Sequence, residues 1–452
     1  MLNRNDPSTD DDAALAPDVL VIGGGPAGST AATLLARCGW RVLMLEKDVH
    51  PRIHIGESLL PMNLPILERL GVLEQVRGIG VHKAGADFTV ADSDTETHVF
   101  RFSGGLGLPC DHAFQVRRSE FDQLLFEHAR ASGVDARDGV RVKQVEFGAD
   151  GRPARFRATA ADGTALEVRP RYVVDASGRD TFLGSKLKLK RKSRKHQSAA
   201  IFSHFRGVER RPGIDAGNVT VDRFEHGWYW LIPLRDDIMS VGAVCSPEYL
   251  KQRRSDNETF LMQTLKARGS VARRMRGAER VAPVHATGNY SYACTRMTGP
   301  GWVMAGDAYA FVDPVFSSGV LLAMQSAEQA TDVVDGALRD PSREAVLQKA
   351  MEKHFRRGLK HFSWFIHRFT TPVMKRLFSA PRNDFQMQQA IVSMLAGDVF
   401  DNRAVVLRLY AFRLLYALNA IAIAPQALRG WRERRRRVAS KFSGDTLHEG
   451  NP

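Results

Sequence analysis

The sequence predicts an α/β chain. A Rossmann-like, dinucleotide-binding domain is assembled from discontinuous pieces, an antiparallel β-sheet is inserted over the ligand, and a helical region follows at the C-terminal side. Three observations carry this reading. The β-branched apolar run Val19 to Ile22 ends in Gly23, Gly25 and Gly28, spaced G-x-G-x-x-G. Some 280 residues on, a second apolar run through Trp302, Val303 and Met304 ends in Gly306-Asp307-Ala308. Between them lie strand and hairpin signals, and beyond residue 341 the apolar spacing turns helical.

Taken in order, the first run suits a buried parallel strand. Gly23 permits a tight turn, Gly25 lets a pyrophosphate approach the backbone, and Gly28 lets the next helix pack close to the strand. Ser29 to Ala36 follows as a good helix, with its positive end toward the phosphates. After Gly39, a second strand from Arg41 to Leu45 ends in Glu46, whose carboxylate can accept from ribose hydroxyls. Lys83, Gly85, Asp87 and Thr89 alternate with Ala84, Ala86, Phe88 and Val90, the pattern of a half-solvated strand. Trp228, Trp230 and Ile232 share one face of another strand, and Leu234 to Ile238 marks a hairpin turn after it. Phe362, Phe365, Ile366 and Phe369 fall at helical spacing, as do Leu407, Ala411, Leu414 and Leu415. These stretches predict a helical cap over the substrate cavity. The expected domain pieces are about 17–90, 111–185 and 280–340 for nucleotide binding, about 91–110 and 186–279 for the inserted sheet, and 341–452 for the helices.

The distal motif identifies the dinucleotide by resemblance. Gly306-Asp307-Ala308, then Asp313, Pro314 and Ser317-Ser318-Gly319 before a small-residue helix, resembles the second FAD fingerprint of p-hydroxybenzoate-hydroxylase-like flavoproteins. Gln115 to Asp122 and Val173 to Gly178 resemble that family's cofactor-contacting and return segments, with Arg118 the expected FAD contact. The resemblance implies that Asp307 meets the ribityl chain. No second G-x-G-x-x-G marks a nicotinamide domain, so electrons are expected from a separate flavin reductase.

Trp228-Tyr229-Trp230-Leu231-Ile232-Pro233 fits W-x-W-x-I-P and resembles the signature of flavin-dependent halogenases. Gly56-Glu57-Ser58 through Pro61 resembles their G-E-S-x-x-P loop beside the flavin, and Lys83 occupies the position of their lysine. Asp313 to Gly319 resembles the phenol and pyrrole members, with Phe316 where tryptophan halogenases carry a Glu. The resemblance implies that reduced FAD, oxygen and chloride or bromide give hypohalous acid. Lys83 then delivers halogen to an electron-rich aromatic ring, free or carried on an acyl carrier protein. Trp228 and Trp230 wall the channel, Glu57, Ser58, Pro314 and Gly319 border the flavin, and the N–H groups of Ser318 and Gly319 hold the halide. An FAD monooxygenase or reductase of the same fold is the alternative, and a non-catalytic FAD-binding scaffold is a third reading.

The chain has 452 residues and a net charge of +14. Residues from 341 onward hold twenty Lys and Arg against eight Asp and Glu. A second basic run comprises Lys186, Lys188, Lys190, Arg191, Lys192, Arg194 and Lys195. Such runs solvate a face or steer an acidic partner. No recognition fold or aromatic-basic array points to nucleic acid. Cys38, Cys110, Cys245 and Cys294 have neither metal spacing nor a disulfide framework, and Met1 to Ala16 is polar and acidic, so the expected compartment is the cytoplasm. Leu414 to Ala424 is apolar but too short to span a bilayer, and a basic end, Trp431 to Arg437, follows it. Peripheral membrane contact is the less favoured reading of that end.

Overall fold

A computed structural model of the chain describes residues 14–89, 97–192, 198–288, 291–369, 371–379 and 384–422. The nucleotide-fold core is a six-stranded sheet. Its order is Thr298–Gly299, Trp302–Met304, Tyr172–Asp175, Val19–Ile22, Val42–Leu45 and Asp135–Arg137, parallel throughout except at the first pair. The inner strands are apolar and buried along their length, as parallel strands covered on both faces must be. Helix Pro26–Arg37 packs against both Gly319–Arg339 and Arg118–Ala131. Gly28 lets the same helix seat closely on the strand and turn before it: a Cβ there would lie 1.8 Å from the Gly23 carbonyl oxygen.

The second large element is an antiparallel-rich sheet. Its order is Glu279–Arg280, Ala199–Arg206, Ile238–Cys245, Gly227–Pro233, Val219–Phe224, Gly85–Thr89 and Thr97–Arg101, and His285–Gly288 also pairs with Ala199–Arg206. Only Val219–Phe224 against Gly85–Thr89 is parallel. This pairing moves two expected boundaries. Residues 85–89 and 285–288 belong to this sheet, because their backbone partners lie there, and not to the nucleotide fold. The predicted solvated face of 83–89 is not solvated either. Lys83, at the end of the separate strand Val81–Lys83, is 1% exposed, and Asp87 is 0% exposed because strand Gly85–Thr89 is buried on both faces.

Strand Gly227–Pro233 divides its side chains between two cores by the two-residue period. Trp228, Trp230 and Ile232 join the main core that includes the nucleotide fold. Tyr229 and Leu231 join a separate cluster with Phe260, Leu261 and Leu265 of helix Asn257–Lys266. Tyr229 donates to the Thr264 carbonyl at 2.7 Å. On the opposite face Trp230 lies across from Gly242, where a Cβ would come within 2.4 Å of the indole.

The C-terminal helices Glu344–Ile366, Pro372–Ser379, Met387–Ala396 and Arg403–Ala422 complete the fold. Phe362, Phe365, Ile366 and Phe369 are buried as expected. The last helix is oriented otherwise than its spacing suggested. Val405, Leu409 and Phe412 turn inward, and Phe412 stacks on Phe365 at 5.3 Å. Leu407 and Leu414, of the stripe at helical spacing, are 70% and 63% exposed. Arg403–Ala422 spans 20 residues and is apolar and long enough to cross a membrane, a longer stretch than the apolar run that starts at Leu414. Trp431 to Arg437, like Arg194 and Lys195, lies outside the described residues.

Candidate active site

One long cavity connects the nucleotide fold to the large sheet. Gly25 and Glu46 of the nucleotide fold, Arg118, Asp307, and Trp228 and Trp230 of the large sheet all line it. Gly23, Glu57, Ser58, Pro314 and Gly319 also line the wall. The structure therefore brings together Gly23 and Gly319, 296 positions apart in sequence. Gly28 stands back from the wall and acts through helix packing.

The glycine loop fits a dinucleotide. A Cβ on Gly23 would strike the Ala176 carbonyl at 2.4 Å, and its φ of +104° is one that L side chains rarely adopt. A Cβ on Gly25 would meet only Arg52 Nη2, at 3.2 Å, so the backbone there faces open space. Glu46 is pinned at the end of its strand: its carboxylate accepts from Gly24 N–H at 2.7 Å and Asp48 N–H at 3.0 Å. Arg52 adds a cation 3.7 Å from Glu46, and its Nε is buried without an acceptor. Burial pushes the Asp307 carboxyl up to about 6, against the pull of Arg179 and Arg118. Arg118 is spent largely on the protein. Two of its nitrogens donate to Asp122, at 2.7 and 2.9 Å, and a third to the Ile55 carbonyl. These residues would hold FAD: Gly25 and the helix behind it the pyrophosphate, Glu46 a ribose, and Asp307 a polyol hydroxyl.

The G-E-S loop is fixed by backbone pairing. Val116 N–H donates to the Glu57 carbonyl, and Leu59 N–H to the Phe114 carbonyl. Because Ala113–Gln115 also pairs with Val81–Lys83, one short strand carries both the loop and Lys83. Lys83 is enclosed. Its Nζ donates to Ser58 Oγ at 2.9 Å and to the Leu59 carbonyl at 2.8 Å, and lies 5.3 Å over the Phe102 ring. Burial alone lowers the Lys83 ammonium to about 7. Lys83 is behind the cavity wall, and Ser58 is the wall in front of it.

At the hairpin, Trp228 and Trp230 are 5.9 Å apart and tilted by 50°. Trp230 donates to Ser240 Oγ at 3.1 Å and packs on Phe202. Burial raises the Asp313 carboxyl to about 7, while hydrogen bonds from Val315 N–H and Trp228 pull it back. Phe316 is buried edge-on against Phe88 and Phe369. The helix Gly319–Arg339 starts at the cavity: Ser317 has φ +56°, Gly319 borders the space, and Ser318 does not. The Ser318 hydroxyl is buried without a partner.

Two neighbours escaped the sequence reading. His204 reaches Glu57, with Nε2 2.8 Å from Oε1. Arg179 lines the cavity, donates to Thr287 and Gly288, and lies over Phe311. Neither belongs to a motif; each is placed by strand pairing across distant segments. Among the described residues no His, Cys, Asp and Glu group could hold a metal ion.

Known proteins resemble the chain in sequence and in fold. A family model described as an FAD binding domain matches residues 16–358. A 1H-pyrrole-2-carbonyl-[peptidyl-carrier protein] chlorinase from Pseudomonas fluorescens Pf-5 is 33% identical over 409 residues, covering 85% of this chain and 90% of its own. The structure of a flavin-dependent brominase superposes with a TM-score of 0.79 at 26% identity, over 88% of this chain and 99% of that one. The myxobacterial chondrochloren halogenase superposes at 0.75 with 30% identity, over 88% and 96%.

Proposed function

The chain belongs to the flavin-dependent halogenases, and from that premise we propose how its own residues carry out halogenation of an aromatic substrate. It is an FAD enzyme that uses halide as co-substrate, and like its family it requires a flavin reductase. Bound in this cavity, reduced FAD with oxygen would supply the oxidising equivalent that turns halide into hypohalous acid.

The single observation that carries the assignment of Lys83 is its enclosure behind Ser58. An amine brought to about 7 is half neutral at pH 7, and only the neutral form attacks an electrophile. Its nitrogen takes halogen from hypohalous acid: the N–X bond forms, the O–X bond breaks, and water leaves. An aromatic carbon then takes the halogen, the N–X bond breaks, and the ring loses a proton. Ser58, hydrogen-bonded to the amine and lining the cavity, is the contact through which the small oxidant passes. Trp228 and Trp230 keep the substrate ring away from the flavin end. The N–H groups at Ser318 and Gly319 hold the halide at the helix N-terminus. A pyrrole or phenol, presented on a carrier protein, is the substrate class this reading favours. Support comes from the chlorinase relative, whose printed name specifies a carrier-bound pyrrole. The cytoplasm is the compartment proposed for it.

Mass spectrometry of products tests the reading. Phenols and pyrroles, free and carrier-bound, are supplied with a flavin reductase and either chloride or bromide. A halogen isotope pattern in product is expected. Oxygenated product formed without halide would overturn it in favour of a monooxygenase.

A further inference from the structure

Strand Val219–Phe224 pairs with the tryptophan strand so that Val221 opposes Trp230 and Arg223 opposes Trp228. Val219 and Val221 line the cavity, and Arg223 continues their face by one two-residue step. The guanidinium is largely buried, with its carbon 3.9 Å from the Phe369 ring centroid. It makes no side-chain hydrogen bond and no ion pair among the described residues, and Nη2 is sealed from solvent without an acceptor. Its sequence neighbour Asp222 points to the other face, where Arg268 and Ser270 engage it. Arg274, on the neighbouring helix Gly269–Arg274, also has a sealed Nη2, but its Nη1 donates to Thr220 and its Nε to the Glu209 carbonyl, whereas no nitrogen of the Arg223 side chain has such a bond among the described residues.

A buried cation with no hydrogen-bonded counter-charge is costly, and the through-space pull of Asp222 and contact with one aromatic face offset only part of that cost. The surroundings are aromatic: Phe369 touches Phe316 and Phe88, and Trp228 lies across the strand pair. Guanidinium matches oxyanions in shape and charge, and it stacks on rings. We propose that Arg223 is the anchor for an oxyanion borne by the aromatic substrate, a phenolate or a ring carboxylate. This inference rests on the halogenase reading for the identity of the ring. It adds that the substrate carries the negative charge this site lacks.

Binding to FAD-loaded protein, measured calorimetrically without turnover, tests it separately from halogenation. The probes are phenol and benzoate, each against its neutral counterpart, anisole and benzamide, at a pH above the anion's own pKa. Wild type is expected to prefer one anion by about tenfold or more over its neutral partner, the scale of a charge-assisted hydrogen bond. Arg223→Gln should bring that preference to within about twofold, and Arg223→Lys should restore part of it. Which anion shows the effect tells phenolate from carboxylate. FAD affinity should stay unchanged in both variants. Arg223→Met should melt no lower than wild type, since it removes an unpaired buried charge. Equal affinity of wild type for anions and neutral probes would overturn the proposal. So would a preference that survives in Arg223→Gln, or an Arg223→Met variant that melts lower yet binds anions as before, which would make the residue purely structural.

Discussion

Replacing Lys83 by Met should make the protein more stable while abolishing halogenation. An ordinary lysine titrates near 10.5, and burial brings Lys83 to about 7. The folded state therefore holds this proton less tightly than the unfolded chain. The resulting cost is complete below about pH 7, shrinks as pH rises between 7 and 10.5, and vanishes above. At pH 7 it amounts to roughly 4 kcal/mol, from ~1.4 kcal/mol per pH unit. Met fills similar space without charge; the Ser58 hydroxyl lines the cavity and can bond water there, but the Leu59 carbonyl is left without its donor. That loss costs ~1–3 kcal/mol. The net expectation is a gain of about 1–3 kcal/mol at pH 7, read as a higher urea midpoint of the FAD-loaded protein. The difference should close and reverse as pH approaches 10, because wild type recovers stability there and the variant does not. Reoxidation of reduced FAD by oxygen should continue in the variant. A Lys83→Met protein that is less stable than wild type at pH 7, with the gap independent of pH, would refute the reasoning that the amine is held in a disfavoured charge state.

Gly25 and Gly28 should separate binding from folding. Gly25→Val should purify folded but bind FAD far more weakly, by flavin absorbance after gel filtration, because its side chain enters open cavity. Gly28→Ala should instead lower the melting temperature or prevent folding, since its Cβ would sit 1.8 Å from the Gly23 oxygen. NADH or NADPH alone should reduce the bound flavin negligibly in stopped-flow; rapid reduction would argue for a single-component enzyme. Of the basic run, Lys190 is already committed: it donates to the Arg179 carbonyl and lies 4.0 Å over Tyr292. Charge reversal at the exposed Lys186, Lys188 and Arg191 is thus the cleaner test of carrier docking. It should slow carrier-bound turnover, more at low salt than at high, and leave FAD oxidation alone. Unchanged carrier-bound rates at low salt would remove that role.

Much of the nucleotide fold was legible because its signals are local. Gly23, Gly25, Gly28 and Glu46 act through turns and strand ends that a few residues determine, and the structure places them as their spacing implied. Lys83 was found through a motif, but its burial was not, since alternation cannot tell a solvated face from one covered by a distant strand. The same limit explains Leu407 and Leu414. Helical spacing reveals a stripe; which stripe turns inward depends on Trp364 and Phe365, some fifty residues away. His204 and Arg223 gave no signal at all, because their significance comes from register across the large sheet. The boundary near residue 90 was missed for a related reason: strand Gly85–Thr89 pairs both with its hairpin partner and with Val219–Phe224.

The division of strand Gly227–Pro233 between two cores bears on how such an enzyme can change. Tyr229 and Leu231 are answerable to helix Asn257–Lys266, and Trp228 and Trp230 to the cavity. Alternate positions on one strand are thus under separate selection. A lineage can remodel the substrate side residue by residue while the other side keeps the strand in register. What it cannot do cheaply is insert or delete one residue there, which would exchange the two sets at a stroke. Diversification of substrate range should therefore proceed through substitutions at even positions of this strand, with length changes confined to the hairpin tip around Glu225 and His226.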